Sequence, residues 1–403
     1  MKRSMRGFNS RVSKLRESPT RRIDRIREEA ARRGLDIIML STGQPSIPPP
    51  FEVRRRLAKD LLAEGISLYS YTPSRGYSSL LEAVRLEMAR WGVGLGPGEV
   101  TLTAGGQSAL FAAVSSLLEP GDEVVVFDPL YFGYWPLLEY ADASISVVET
   151  RLEDGFQPRE EDLLSVVSRK TKVLIVVTPD NPTGRAITSK TARLIADLAI
   201  DNNFWIIVDE AYRTLVYEGE HIYLWRLAPD HVIGLGTFSK DPGIPGWRLG
   251  FAYGPREAIR RISLVVQETV YCPPSPAQRL VEYYLRDEKT RMKHLEYVKR
   301  VYMERRDALL DAIDKLVPGA RYVRPSGGMF AYVDLSNILQ GRIDSDELAR
   351  LLLEEKGVAT IPGTYFSRRG SAFLRLSFVG EPPERLREAI RRMRELLEDK
   401  ELL

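Results

Sequence analysis

Three apolar runs in the middle of the chain each lead into residues that can do chemistry. Val173 to Val177 runs into Thr178-Pro-Asp-Asn181-Pro-Thr-Gly184, Trp205 to Val208 into Asp209-Glu-Ala-Tyr212, and Val232 to Leu235 into Thr237-Phe-Ser-Lys240. If these runs are parallel strands, their carboxyl ends share one rim, which is where such sheets gather ligand-binding groups. That rim then carries an amide (Asn181), a carboxylate (Asp209), a phenol (Tyr212) and an amine (Lys240). A fourth run, Val100 to Thr103, ends in Ala104-Gly105-Gly106-Gln107 and opens directly into a helical stretch. Backbone N–H groups and the positive end of a helix dipole therefore face the same rim, a suitable place for a phosphate.

Each residue alone has a plainer explanation. Gly105-Gly106 would serve a tight turn, Asn181-Pro a turn of its own, Asp209 a helix cap, and Lys240 a solvated surface. Together, a lysine, a carboxylate, an amide, a phenol and a phosphate cradle form the kit for a pyridoxal 5′-phosphate site.

The elements that must hold this rim follow from the pattern of apolar residues. The runs lack alternation, so they are expected to be buried on both faces, as in a parallel sheet. Between them lie helical stretches at Gln107 to Leu118 and Thr188 to Asn202, the second with Ile195, Leu198 and Ala199 on one side. The fold class expected is α/β: a large, doubly wound, mostly parallel sheet domain with a smaller α+β domain. After about residue 285 come a long charged helix, a run at Met329 to Leu335, a helix near Ser345 to Glu355, a run at Phe373 to Phe378 and a closing helix from Glu384. The expected division is an N-terminal arm and part of the small domain over 1–50, a cofactor-binding domain over 51–287 and a small C-terminal domain over 288–403. Pro45 to Pro50 is the linker, and Ser18-Pro19 with Gly34 brackets an arm helix carrying Ile23, Ile26 and Ala30.

Composition excludes several classes. The net charge of +3 conceals a basic arm: residues 1–36 hold twelve Lys/Arg against five Asp/Glu, and the remainder holds 46 against 50. An arm folded as a helix is a poor nucleic-acid tail, so no nucleic-acid partner is expected. Three scattered histidines and one cysteine, Cys272, give zinc chemistry little to work with and suit a reducing compartment. No apolar run approaches the ~18 residues of a membrane span, and the N-terminus lacks a signal peptide's apolar core, so a cytoplasmic enzyme without a membrane partner is expected.

The chain resembles the class I/II aminotransferases, the aspartate aminotransferase-like group of fold-type I pyridoxal phosphate enzymes. The resemblance rests on Ser41-Thr-Gly43-Gln-Pro45, Tyr71-Thr-Pro-Ser-Arg-Gly76, Gly105-Gly106-Gln107-Ser-Ala-Leu110, Asn181-Pro-Thr-Gly184, Asp209-Glu-Ala-Tyr212, Thr237-Phe-Ser-Lys240, Gly246-Trp-Arg248-Leu-Gly250 and Phe373-Leu-Arg375, in that order. It implies transamination from an amino acid to a 2-oxo acid, 2-oxoglutarate being the expected acceptor, in a ping-pong exchange. Lys240 would hold the cofactor as a Schiff base, the internal aldimine, and then act as the base at the substrate Cα, which requires its pKa to fall below the usual ~10.4.

By the same resemblance, Asp209 pairs with the ring nitrogen, and Tyr212 and Asn181 hydrogen-bond the ring oxygen. Gly105, Gly106, Gln107, Thr237 and Arg248 hold the phosphate, and Tyr131 of Asp128-Pro-Leu-Tyr131 stacks on the ring, with Phe132 and Tyr134 as neighbouring candidates. Tyr71 would reach the phosphate of a second subunit, implying a homodimer. Arg375 would grip the substrate α-carboxylate, with Gly43 allowing close backbone approach. Period two sets Arg375 on one face with Phe373 and Ser377, and a guanidinium in so apolar a run needs an anion, which a structural salt bridge would also supply.

Other readings compete. Gly106-Gln107-Ser108-Ala109-Leu110 resembles a nucleophile elbow, but Leu110 stands where glycine is required and no histidine lies in a recognisable partner motif. A non-enzymatic amino-acid or cofactor sensor on this fold carries an added DNA-binding domain, for which the 36 residues before Ile37 are too few. Another reaction on the same cofactor, such as carbon–sulfur lysis or cyclopropane formation, is compatible with every motif.

Overall fold

A computed structural model describes residues 9–15, 32, 34, 36–63 and 67–403. The expected arm helix, with Ile23, Ile26 and Ala30, lies outside the described residues.

The large sheet has seven strands: β2 (Val100–Thr103), β3 (Glu123–Asp128), β4 (Ser144–Glu149), β5 (Thr171–Val177), β6 (Trp205–Asp209), β7 (Val232–Thr237) and β8 (Gly250–Tyr253). They lie in the order β2-β8-β7-β6-β5-β3-β4. Only β8 runs against its neighbours, pairing antiparallel with β2 and β7, while the other pairs are parallel. The absence of alternation in the apolar runs has its reason here. Val124, Val126, Val173, Ile175, Val177 and Ile207 pack into the layer that holds helices Gly106–Leu117 and Arg256–Val270. Val125, Phe127, Leu174, Val176, Ile206 and Val208 point the other way, into the layer of helix Ser189–Asn202. Both faces are covered, so both sets are apolar.

Two strands of the large sheet fell outside the expected set. β4 is a half-buried edge that begins Ser-Ile-Ser, and β8 begins with a glycine and ends in a tyrosine. A Cβ on Gly234 or Gly236 of β7 would strike Tyr253 or Phe251 of β8, so small and large residues interlock across this pair.

The C-terminal part holds a four-stranded sheet ordered β12-β13-β10-β9, from β9 (Arg321–Tyr322), β10 (Phe330–Asp334), β12 (Ile361–Pro362) and β13 (Phe373–Ser377). β1 (Ile38–Met39) crosses from the N-terminal side to pair in parallel with β11 (Val358–Ala359). Its Ile38 and the following Leu40 enter the same core as Leu374, Leu376 and the closing helix Pro383–Asp399. The long helix Glu288–Leu316 buries Arg291, Leu295, Val298, Tyr302, Arg306, Leu309 and Ile313, a three-or-four spacing that makes one continuous stripe. Among the described residues, no helix is long and apolar enough to cross a membrane, and no group of His, Cys, Asp and Glu could hold a metal ion.

Candidate active site

The carboxyl ends of β5, β6 and β7 border a cavity of about 310 Å³ whose wall includes Asn181, Asp209, Tyr212 and Lys240 together with Gly106 and Gln107. Strand order places them there: β5, β6 and β7 are adjacent, and the helix Gly106–Leu117 packs on β7. From the four-stranded sheet, Arg375 of β13 and Phe330 of β10 complete the wall, and Ser41 to Gln44 close it from the N-terminal segment.

The Lys240 Nζ donates a 2.8 Å hydrogen bond to the Gly43 carbonyl and lies 5.6 Å from the Tyr212 ring centroid. Burial first, then the positive charge of Arg375 and Arg248, lowers its pKa from 10.5 to about 8, with Asp209 acting in the opposite sense. Gly43 has no room for a side chain, since a Cβ would run into the Phe330 ring.

Asp209 is held by two donors. Tyr134 Oη gives 2.8 Å to Oδ2, and the Ala211 amide gives 2.9 Å to Oδ1. Burial pushes the Asp209 pKa up, and these two hydrogen bonds pull it down. No cation forms an ion pair with it among the described residues, leaving a site for a positively charged partner. Tyr134 was not foreseen as the anchor of Asp209; it entered only as a rival to Tyr131 for stacking. Tyr134 is fully buried and off the cavity wall, whereas Tyr131 and Phe132 line it. Burial raises the phenol pKa of Tyr131 and of Tyr212, so both stay protonated.

Gly105 adopts φ +83°, and a Cβ there would lie 2.5 Å from Arg248 Nη2, so only glycine lets the guanidinium approach this helix start. Gly106 begins the helix, its ideal Cβ position 3.4 Å from that of Thr237. Thr237 Oγ1 accepts the Ser239 amide at 3.1 Å and donates to Ser239 Oγ at 3.0 Å. Gly106, Gln107, Thr237, Ser239 and Arg248 thus surround one end of the cavity with donors. Ser108, the rejected nucleophile, is a helix residue off the cavity wall.

Arg375 is only 3% exposed, yet forms no ion pair among the described residues. Its Nη1 donates to Asn181 Oδ1 at 3.0 Å and its Nη2 to the Ser41 carbonyl at 2.5 Å, while Nε has no partner. The guanidinium lies 4.0 Å from the Phe330 centroid and 5.1 Å from that of Phe366. Burial lowers its pKa to about 10. Tyr71, by contrast, is 83% exposed, packs edge-on against Tyr271 at 5.0 Å and does not line the cavity of its own chain.

Residues 36–393 match the family described as aminotransferase class I and II. The chain belongs to this family. It is 34% identical to the aspartate/prephenate aminotransferase of Thermus thermophilus over 98% of this chain and 99% of that one. It is 32% identical to the aspartate aminotransferase of Pyrococcus horikoshii over 93% and 94%. The solved structure of Thermus thermophilus aspartate aminotransferase with maleate superposes with a TM-score of 0.90 at 33% identity, covering 97% of this chain and all of that one. The protein is therefore a pyridoxal phosphate-dependent aminotransferase. The site of this aminotransferase fits that cofactor on two independent observations. The Gly105 cradle that any Cβ would fill suits a phosphate, and a deep carboxylate without a cation suits the ring nitrogen.

Proposed function

We propose that this aminotransferase moves an amino group from an amino acid to a 2-oxo acid in two successive half-reactions at one site, with Lys240 as its central residue. The observation that carries this reading is the pairing of a buried Arg375 without a carboxylate partner and a half-buried Lys240 at the same cavity. A buried guanidinium with an unpartnered N–H calls for an anion, and a substrate carboxylate supplies one bidentately.

The cofactor's phosphate would be held by Gly105, Gly106, Gln107, Thr237 and Arg248, its ring by Tyr131 and Asp209, and its ring oxygen by Asn181 and Tyr212. Once bound, pyridoxal phosphate supplies an aldehyde that takes up amines and a ring that draws off the electron pair left when the Cα proton departs. The chain does the rest. Arg375 and Asn181 fix the substrate carboxylate, and Gly43 leaves space for it. Lys240, with a pKa near 8, is neutral in useful amount at neutral pH and takes the Cα proton onto Nζ. Asp209, oriented by Tyr134 and Ala211, holds positive charge beside it in the cavity. Because one guanidinium serves both substrates, donor and acceptor take turns, which gives ping-pong kinetics.

We further propose a homodimer in which Tyr71 serves the partner's site; its exposure and its distance from its own cavity wall support this. A division into 1–50, 51–287 and 288–403 is supported by Pro50 and Asp287, which precede the helices Phe51–Leu62 and Glu288–Leu316. The lone Cys272 supports a cytoplasmic location. Initial rates with an amino acid and a 2-oxo acid varied together test the mechanism. Parallel double-reciprocal lines are expected; intersecting lines would contradict the ping-pong exchange, and release of ammonia without an acceptor would favour a lyase.

A further inference from the structure

Asn181 serves two groups with one amide. Its Oδ1 accepts Arg375 Nη1 at 3.0 Å. A guanidinium only donates, so the amide oxygen must face Arg375, which leaves the amide N–H groups as donors for the cofactor's ring oxygen.

The turn that carries Asn181 is closed on itself. Thr183 donates both its amide and its hydroxyl to Asp180 Oδ2, at 3.2 and 2.5 Å. The Arg185 amide donates to Thr183 Oγ1 at 3.2 Å, the Asp180 amide to the Arg185 carbonyl at 2.8 Å, and the Gly184 amide to the Asp180 carbonyl at 3.0 Å. Thr183 Oγ1 is thus donor to one end of the turn and acceptor from the other. Asp180, Asn181, Thr183 and Arg185 are all buried, so these bonds form away from competing water and within a single chain. Burial pushes the Asp180 pKa up, while the charge of Arg185 and the Thr183 donors oppose this.

The turn is also fixed from both sides. The Thr178 amide donates to the Asp209 carbonyl at 3.0 Å, which joins the approach to the turn to the end of β6. At the other end Gly184 has φ +72°, and a Cβ there would lie 2.7 Å from the Phe330 carbonyl oxygen. The ring of Phe330 is the one that lies 4.0 Å from the Arg375 guanidinium. Asp180 and Thr183 are off the cavity wall, so they reach the chemistry only through Asn181.

We propose that Asp180 and Thr183 are positioning residues, a clasp that holds Asn181 where one amide meets Arg375 and the cofactor's ring oxygen together. The ring-oxygen half rests on the reading above through the assignment of Asn181; the Arg375 half rests on the observed contact.

The test follows the bound cofactor's absorbance against pH in the holoenzyme. A hydrogen bond to the ring oxygen favours its ionised form, so losing that bond moves the titration to higher pH. Asn181→Ala sets the scale and should raise the midpoint by about 1 pH unit. Thr183→Val keeps the side-chain shape without the hydroxyl and should raise it by at least about 0.5 pH unit. Thr183→Ser keeps the hydroxyl and should titrate like the unmodified enzyme. If Asn181→Ala moves the midpoint and Thr183→Val does not, the clasp is an ordinary turn and the inference is overturned.

A second readout separates the clasp from the ring-oxygen assignment. An unmoved titration in Asn181→Ala would sink that assignment, and binding of propanoate, an unreactive carboxylate, followed by NMR on the holoenzyme, would then decide the clasp. Thr183→Val should bind propanoate about threefold to tenfold more weakly, and Thr183→Ser as the unmodified enzyme does. Equal binding by all three would overturn the inference. Should the added methyl keep Thr183→Val from folding, Thr183→Ala makes the same deletion and carries the same expectations.

Discussion

Tyr134 donates a 2.8 Å hydrogen bond to Asp209, and this one contact joins the helix Tyr134–Tyr140 to the carboxyl end of β6 beneath the cavity. Asp209 sits where burial raises its pKa, so its charge depends on the two donors that hold it. Tyr134→Phe removes one donor and makes Asp209 easier to protonate. The cofactor should then bind the apoenzyme about tenfold more weakly, as losing a hydrogen bond to a charged group costs about 1.5 kcal/mol. Absorbance titration of the apoenzyme with pyridoxal phosphate measures this, and unchanged affinity would deny Tyr134 its positioning role.

Gly105→Ala should damage the phosphate end specifically. The backbone is at φ +83°, and the new Cβ would displace the Arg248 guanidinium. Inorganic phosphate should lose its ability to compete with the cofactor for the apoenzyme, while Gly34→Ala, also at positive φ but with no neighbour within 4 Å, should leave that competition intact.

Arg375→Lys retains a cation but loses the planar fork that meets Asn181, Ser41 and a carboxylate together. A fall of about a hundredfold in kcat/KM for amino acids is expected, from the ~3 kcal/mol of a charge-assisted bidentate contact. Cofactor affinity should change little, and steady-state kinetics beside cofactor titration separate the two effects.

The reactivity of Lys240 should follow its depressed pKa. The rate at which the apoenzyme captures pyridoxal phosphate covalently should rise with pH and level off above about pH 8. Burial and the nearby Arg375 both disfavour the protonated amine, so removing a cation must raise the inflection. In Arg375→Leu the plateau should therefore begin at higher pH. Stopped-flow absorbance across pH 6 to 10 reads both curves, and an inflection that stays fixed or falls would contradict the electrostatic origin.

Arg291 and Glu87 form a buried ion pair at 2.6 Å that ties the long helix to the helix Ser78–Arg90, far from the chemistry. Arg291→Met removes the buried cation from Glu87 and leaves its carboxylate only Trp91 and the more exposed Arg90. With Arg90 still paired to Glu87, a loss of about 2–3 kcal/mol of stability is expected, below the ~3–5 kcal/mol of a fully uncompensated buried charge. Urea unfolding of the holoenzyme measures it.

Much of this architecture was legible because its causes are local. A strand covered on both faces is apolar on both, so β3, β5, β6 and β7 announced themselves, along with the polar residues at their ends. β4 and β8 stayed hidden for the opposite reason: an edge strand tolerates serine, and β8 gains its place by interlocking with the glycines of β7, a long-range fit that no single segment displays. Arg375 was readable as a buried cation in need of an anion, but only the folded chain reveals that no carboxylate of the described residues meets it. Tyr134 follows Tyr131 through a turn, its amide donating to the Tyr131 carbonyl at 3.0 Å, and it begins the helix. Its contact with Asp209 spans 75 residues of sequence and left no local signal.

The central claim is that Lys240 carries the cofactor. Reduction of the holoenzyme with borohydride, followed by proteolysis and mass spectrometry, fixes the cofactor to whichever amine holds it. The pyridoxyl group is expected on the peptide containing Thr237-Phe-Ser-Lys240, at Lys240 alone. A label on any other lysine would contradict the account.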